Sequence, residues 1–124
     1  MKQGRFLLTE SNRLLWSDVW VMESLAERYY GLRKFPNIPV NRAFWFPRCQ
    51  AVHSFTLRVA LDVIGLNDAF QIVAVRRNLR PWQALRMAAA SSIIECEAGS
   101  ALPLEYWLGK QVRFQHKDAN HVTS

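Results

Sequence analysis

The chain has 124 residues, half of them hydrophobic, with five Trp and a formal net charge of +6. That length fits one domain able to bury a core without staples, and the apolar content excludes a disordered chain. Two cysteines exclude a disulfide framework, no apolar run approaches the ~20 residues that span a bilayer, and the N-terminus shows no apolar h-region, so membrane insertion is not expected and the expected location is cytoplasmic with reduced thiols.

In chain order, Arg5 to Thr9 and Arg13 to Trp16 are short apolar runs with turn residues Glu10-Ser11-Asn12 between them, which predicts a first hairpin. Ser17 or Asp18 then suits a helix N-cap, and Met22, Leu25, Ala26 and Tyr29 follow at helical spacing with Gly31 as the stop. One α-helix in the N-terminal half is therefore expected. Arg33 to Arg42, with Pro36 and Pro39, reads as an extended loop. Phe44-Trp45-Phe46 is a short strand stopped by Pro47, its aromatics alternating between two faces, and Arg48 to Thr56 fits neither period and reads as irregular.

Leu61 to Leu66 and Phe70 to Arg76, joined by Asn67-Asp68-Ala69, predict a second hairpin. Pro81 ends what precedes it. Ala84 to Ala90 has helical propensity but is short, so a strand edge or a loop fits equally. Ser91 to Glu97 reads as a strand, Pro103 to Leu108 as one or two helical turns with Gly109 beyond them, and Gln111 to Gln115 as a last strand. Residues 1–115 are expected to form a single domain and 116–124 a loose polar tail. The resulting fold class is mainly β (α+β): a compact antiparallel sandwich or barrel-like sheet with one helix packed on it.

The charge is unevenly spread. Arg28 to Leu61 contains six basic residues and no acid, and Arg76 to Arg86 contains four more, again with no acid. If these blocks converge in space they form an anion-attracting surface.

Several blocks carry a family likeness: Arg28-Tyr29-Tyr30-Gly31-Leu32; Phe44-Trp45-Phe46-Pro47-Arg48-Cys49 running on through Val52-His53-Ser54 to Leu57; Leu61-Asp62-Val63; Leu79-Arg80-Pro81; Ile94-Glu95-Cys96-Glu97-Ala98-Gly99; and Leu108-Gly109. In this order the chain resembles the DUF192 (UPF0127) family of small prokaryotic proteins over about Leu25 to Phe114. Three positions depart from the family pattern: Leu57 stands for its Met, Ser54 for its Thr, and Gly65 for an aromatic before the hairpin turn. The resemblance implies a compact, mainly antiparallel β fold with a helix and implies no activity.

Candidate chemistry gathers between Ala43 and Asp62. Cys49 beside His53 is a possible activated thiol or half of a soft-metal site. Further ligands would have to come from Cys96, His116, His121 or carboxylates, and no metal site or cofactor is assigned. A packed Cys and a backbone-bonded His are the plainer reading. Asp62 shares a strand face with Ile64 and Leu66, so it is expected to find Arg58, His53 or backbone N–H groups as partners. It orients His53 in a functional reading and locks a loop to the sheet in the preferred one. Arg48, Arg58, Arg76, Arg77 and Arg80 suit anion recognition, and Trp45 or Trp82 beside them would suit base stacking. No nucleic-acid signature or phosphate loop accompanies them.

The leading expectation is a small non-enzymatic binding or accessory module whose ligand residues are Trp45, Arg48, His53, Arg58, Asp62 and Arg80. Its partner would be an anionic ligand or a protein. The alternatives are a hydrolase- or transferase-type enzyme using Cys49 or His53 with Asp62, and a binder of anions or nucleic acid through the Arg clusters, nucleic acid ranking lower.

Overall fold

The computed structural model describes residues 2–23, 37–54 and 58–117. Seven strands form one mixed sheet, and two more form a separate ribbon. The sheet begins with a hairpin of β1 (Gln3–Leu8) and β2 (Leu14–Val21), as the turn residues predict. Asn12 takes a left-handed φ of 57° in that turn, a conformation Asn tolerates better than most residues.

The predicted helix start is overturned here. Ser17 and Asp18 lie inside β2, and the described residues hold no α-helix. Residues 24–31 of the expected helix lie outside the described residues. The polar pair that reads as a cap serves the sheet instead. Ser17 Oγ accepts from Asn41 Nδ2 at 3.1 Å, and Asp18 accepts from Trp20 Nε1 at 2.9 Å and from Arg42 Nε at 2.8 Å. These bonds tie β2 to the start of β3 (Arg42–Phe46), which runs parallel to it.

After β4 (Ala51–His53) come β5 (Leu61–Leu66) and β6 (Ile72–Leu79), the second expected hairpin. β7 (Ala84–Arg86), β8 (Ser92–Glu97), a 3-10 turn (Leu104–Trp107) and β9 (Val112–His116) complete the fold. Gly109, at φ 87°, ends the 3-10 segment as the sequence predicts. His116, expected to open the tail, is the last residue of β9 and pairs with Gly4.

The strand order is β6-β5-β8-β3-β2-β1-β9. The sheet is thus mixed and does not close, where an antiparallel sandwich or barrel-like sheet is expected. It curls enough for its two edge strands to touch at one end: Ile72 N–H donates to Lys110 O at 2.9 Å and Val112 N–H to Phe70 O at 2.8 Å. β8 sits centrally between β5 and β3 and buries every residue but its last.

Alternation along the strands divides the core into two clusters. Phe6, Trp16, Ile64, Leu66, Ile94 and Leu104 belong to the first, against which Trp45 packs. Phe44, Phe46, Leu61, Val63, Leu79 and Ile93 belong to the second. Trp45 therefore faces away from Phe44 and Phe46, as period two requires. Gly65 has a steric reason to replace an aromatic. A Cβ there would stand 2.9 Å from both Ala90 Cβ and Met87 Sδ, so the 87–90 turn could not lie against β5.

Candidate functional site

The structure distributes the candidate residues over three places. The first is the β4–β7 ribbon, which the sequence leaves unpaired and largely irregular. Its register is Ala51↔Arg86, Val52↔Leu85 and His53↔Ala84. Val52 and Leu85 turn inward onto the second cluster, and Ala51, His53, Ala84 and Arg86 face outward. Further bonds fix the ribbon to its neighbours. Cys49 N–H donates to Ser91 O at 2.9 Å, Met87 N–H to Gln50 O at 2.7 Å and Trp82 N–H to Ser54 O at 3.0 Å. The buried Ser54 hydroxyl donates to Arg80 O and accepts from Gln83 N–H.

Pairing of these strands brings the two acid-free blocks together. Arg48 and Arg86 line one open depression of about 590 Å³, with Cys49, Gln50, Ala51 and Ser91. Arg80 and Trp82 stand on the turn at the other end, and Trp82 is 72% exposed. Arg48 and Trp82 both hold left-handed φ values, 54° and 65°, which a side chain adopts only under constraint. Arg48, Arg80 and Arg86 form no ion pair among the described residues. Cys49 is half-buried and its Sγ–H donates to Ala51 O at 3.0 Å. Arg58 is exposed in the bend before β5, apart from the residues lining the depression.

The second place is Asp62, which is fully buried. Its Oδ2 accepts from Arg77 Nη1 at 2.7 Å, Gly99 N–H at 3.1 Å and Ser100 N–H at 3.0 Å, while Oδ1 accepts from Asn78 N–H at 3.0 Å. Backbone N–H groups are among the expected partners; the cation is Arg77 rather than Arg58 or His53. Arg77 spends its remaining donors on Ser100 O at 3.0 Å, Leu102 O at 2.7 Å and, in a fork, Glu105 at 2.8 and 3.0 Å. Donation to Glu105, and then to Asp62, pushes the Arg77 pKa up, and Arg77 in turn pulls the Glu105 carboxyl down. All five guanidinium N–H positions are used, so the network reads as a pin holding residues 99–105 to β5 and β6.

Trp45 marks the third place. It lines a separate open depression of about 550 Å³ with Phe70, Phe114, Arg113, His116 and Asp68, on the side of the first cluster. Among the described residues, Trp45 and the ribbon residues line separate depressions, and Asp62 is buried and lines neither.

Sequence reasoning passed over Glu95. It is 2% exposed on β8, opposite Phe44 on one side and Val63 on the other, both members of the second cluster. Its Oε2 has no hydrogen-bond partner among the described residues, and burial raises its pKa to about 8. The signal was an acid inside the apolar run Ser92-Ile93-Ile94-Glu95-Cys96. Cys96 beside it packs into the first cluster, and burial pushes its thiol up to about 12. Cys49 packs against the second cluster, so the two cysteines lie on opposite faces of the sheet. Among the described residues no three His, Cys, Asp or Glu side chains gather as metal ligands would; His121 lies outside them. Nor is any described helix long and apolar enough to cross a membrane.

Comparison with known proteins bears on the fold and on kinship. The model of the DUF192 family, described as an uncharacterized ACR, matches residues 6–114, and the chain belongs to that family. A Sinorhizobium meliloti 1021 protein, described as a candidate transcription regulator, has a similar structure. Its TM-score is 0.72 at 16% identity, over 91% of this chain and 92% of its own. A Novosphingobium aromaticivorans DSM 12444 protein of unknown function matches with a TM-score of 0.71 at 17% identity, over 90% of this chain and 83% of its own. No curated protein matches. At these identities the likeness concerns the fold.

Proposed function

We propose that this DUF192-family chain is a small binding module that docks an anionic partner on the β4–β7 ribbon. One observation carries the reading: the cross-strand pairing of Ala51 with Arg86 and His53 with Ala84 merges two acid-free segments into one outward face. A face with Arg48, Arg80 and Arg86, none of them in an ion pair among the described residues, and with no carboxylate from either segment favours an anion. Arginine forks recognise phosphate and carboxylate oxygens bidentately, and an exposed Trp82 beside them adds a stacking or packing surface. The left-handed turns at Arg48 and Trp82 support the same reading, because constrained backbone at a surface is commonest where a side chain must be presented.

The test is titration of a labelled single-stranded oligonucleotide, with an acidic peptide in parallel, at low ionic strength. At least one should bind, and its affinity should fall steeply as salt rises. Replacing Arg48 and Arg86 together by Ala should weaken binding roughly tenfold or more. Failure of both probes to bind at low salt would overturn the proposal, as would a double variant that binds as well as the wild type.

A further inference from the structure

β9 is one of the two edges of the seven-stranded sheet, far from the ribbon in strand order. Its register against β1 decides which of its backbone groups are free. Thr9 N–H donates to Gln111 O at 3.0 Å, and the pairing continues as Leu8↔Val112, Leu7↔Arg113, Phe6↔Phe114 and Arg5↔Gln115. In an antiparallel ladder, hydrogen-bonded pairs alternate with non-bonded ones. Arg113 and Gln115 therefore turn their N–H and C=O groups to β1, and Val112, Phe114 and His116 turn theirs outward. Val112 N–H is met there by Phe70 O at 2.8 Å. Phe114 N–H, Phe114 O and His116 N–H have no backbone partner among the described residues. The open depression at Trp45 lies along this stretch, bordered by Asp68 and Phe70 on its other side.

A strand laid on that edge would continue the ladder begun at Val112, and its side chains would alternate between two unlike surfaces. One surface is aromatic: the Trp45 ring stands 5.0 Å from Phe114 and 5.6 Å from Phe70 between centroids, and all three are only partly buried. Asp68 borders it and disfavours an acid on that side. The other surface is basic. Arg113 and Gln115 alternate onto it, Arg5 Nε donates to Gln115 Oε1 at 2.6 Å, and Lys117 Nζ donates to Gln3 Oε1 at 3.4 Å. None of Arg5, Arg113 and Lys117 is in an ion pair among the described residues. Asp18, which lines one hollow with Arg5 and Lys117, is already taken by Arg42 at 2.8 Å. The edge thus asks for a strand that is apolar on one face and acidic on the other. A second copy of this chain does not answer, because it would set Arg113 and Lys117 against their own kind, and like charges on an edge oppose pairing.

We infer that β9 is a docking edge for a protein partner that adds an extended segment of alternating acidic and apolar residues to the sheet. Backbone bonds to Phe114 and His116 hold the segment, the rings receive its apolar side chains, and Arg5, Arg113 and Lys117 receive its acids.

Two end-blocked peptides of equal length and composition separate this from plain charge attraction. In one, glutamate and valine alternate; in the other, the glutamates and valines form two blocks. Each is titrated into the full chain while the backbone amide resonances are followed by NMR. The alternating peptide should shift the Phe114 and His116 amides saturably and bind about tenfold more tightly than the block peptide. His116→Pro removes an outward N–H and leaves the β1 ladder intact, a substitution that edge strands tolerate. It should weaken binding about tenfold, whereas His116→Ala, which keeps the N–H, should bind as the wild type does. Arg113→Glu combined with Lys117→Glu should also weaken it. If His116→Pro does not fold, the charge-reversed variant and the contrast between the two peptides decide. The inference is overturned if the two peptides bind equally, if the Pro and Ala variants behave alike, or if the chain alone forms a dimer through these amides. It is overturned as well if the shifts fall only on ribbon residues such as Ala51 and Arg86, a result that would leave the ribbon proposal standing.

Discussion

Asp62 and Glu95 are both buried in the same sheet, on neighbouring strands and one step of register apart, since β5 pairs Asp62 with Cys96 and Val63 with Glu95. Their surroundings are opposite. Asp62 accepts four hydrogen bonds, one of them from a guanidinium. Glu95, on the other face between Phe44 and Val63, leaves Oε2 without any partner among the described residues. Burial alone therefore says little about what a carboxylate does. Four converging donors make Asp62 a structural joint. The absence of donors makes Glu95 a group that keeps its proton to about pH 8.

The largest effect should come from breaking the joint. Asp62→Ala leaves Arg77 facing a buried gap and frees three backbone N–H groups, so it should cost about 3–5 kcal/mol in denaturant unfolding. A loss well under 1 kcal/mol would mean that residues 99–105 are held by something other than this network. Glu95 predicts a different behaviour. Its folded-state value of about 8 lies above the ordinary 4.5, so the folded chain holds this proton more tightly than the unfolded chain does. The stability this contributes is full below pH 4.5 and is lost as pH climbs towards 8. Glu95→Gln cannot ionise. It should match the wild type to within about 1 kcal/mol near pH 5 and exceed it at pH 9 by on the order of 4 kcal/mol. A stability difference that stays flat across that window would place the ionised carboxylate in contact with water or a cation.

How far these features can be read from sequence depends on how local their causes are. The β1–β2 and β5–β6 hairpins, the Pro47 stop and the Gly109 terminator were legible because turn residues and alternation sit next to the strands they define. Ser17 and Asp18 misled for the same reason: a cap is the local use of such residues, but here their partners are Asn41, Trp20 and Arg42, two of them across a parallel pairing. β4 escaped notice because three residues show no period and their partner strand lies some thirty residues on. Within the site, the need of Asp62 for donors follows from its apolar strand face, and backbone N–H groups are among those that answer it. That Arg77 supplies the cation does not follow: Arg58 and His53 were the side chains expected there, and Arg77 reaches Asp62 only through the β5–β6 pairing. Convergence of the two basic blocks was conditional on a fold, and strand pairing satisfies it for Arg48 and Arg86.

The smallest effect should come from the outer end of the same joint. Glu105 makes two hydrogen bonds to Arg77 where Asp62 makes one, and it is the leading cause of the raised Arg77 pKa. A tally of contacts would therefore rank Glu105 above Asp62. Solvent reverses that order. The Glu105 side chain is 54% exposed against 1% for Asp62, so water can replace what a Glu105 substitution removes, whereas nothing replaces Asp62. Glu105→Gln should accordingly shift the denaturation midpoint only slightly, and raising the salt concentration should shrink the difference further. If Glu105→Gln instead cost as much as Asp62→Ala, Arg77 would be held from its exposed side, and Asp62 would be the passenger in the network rather than its anchor.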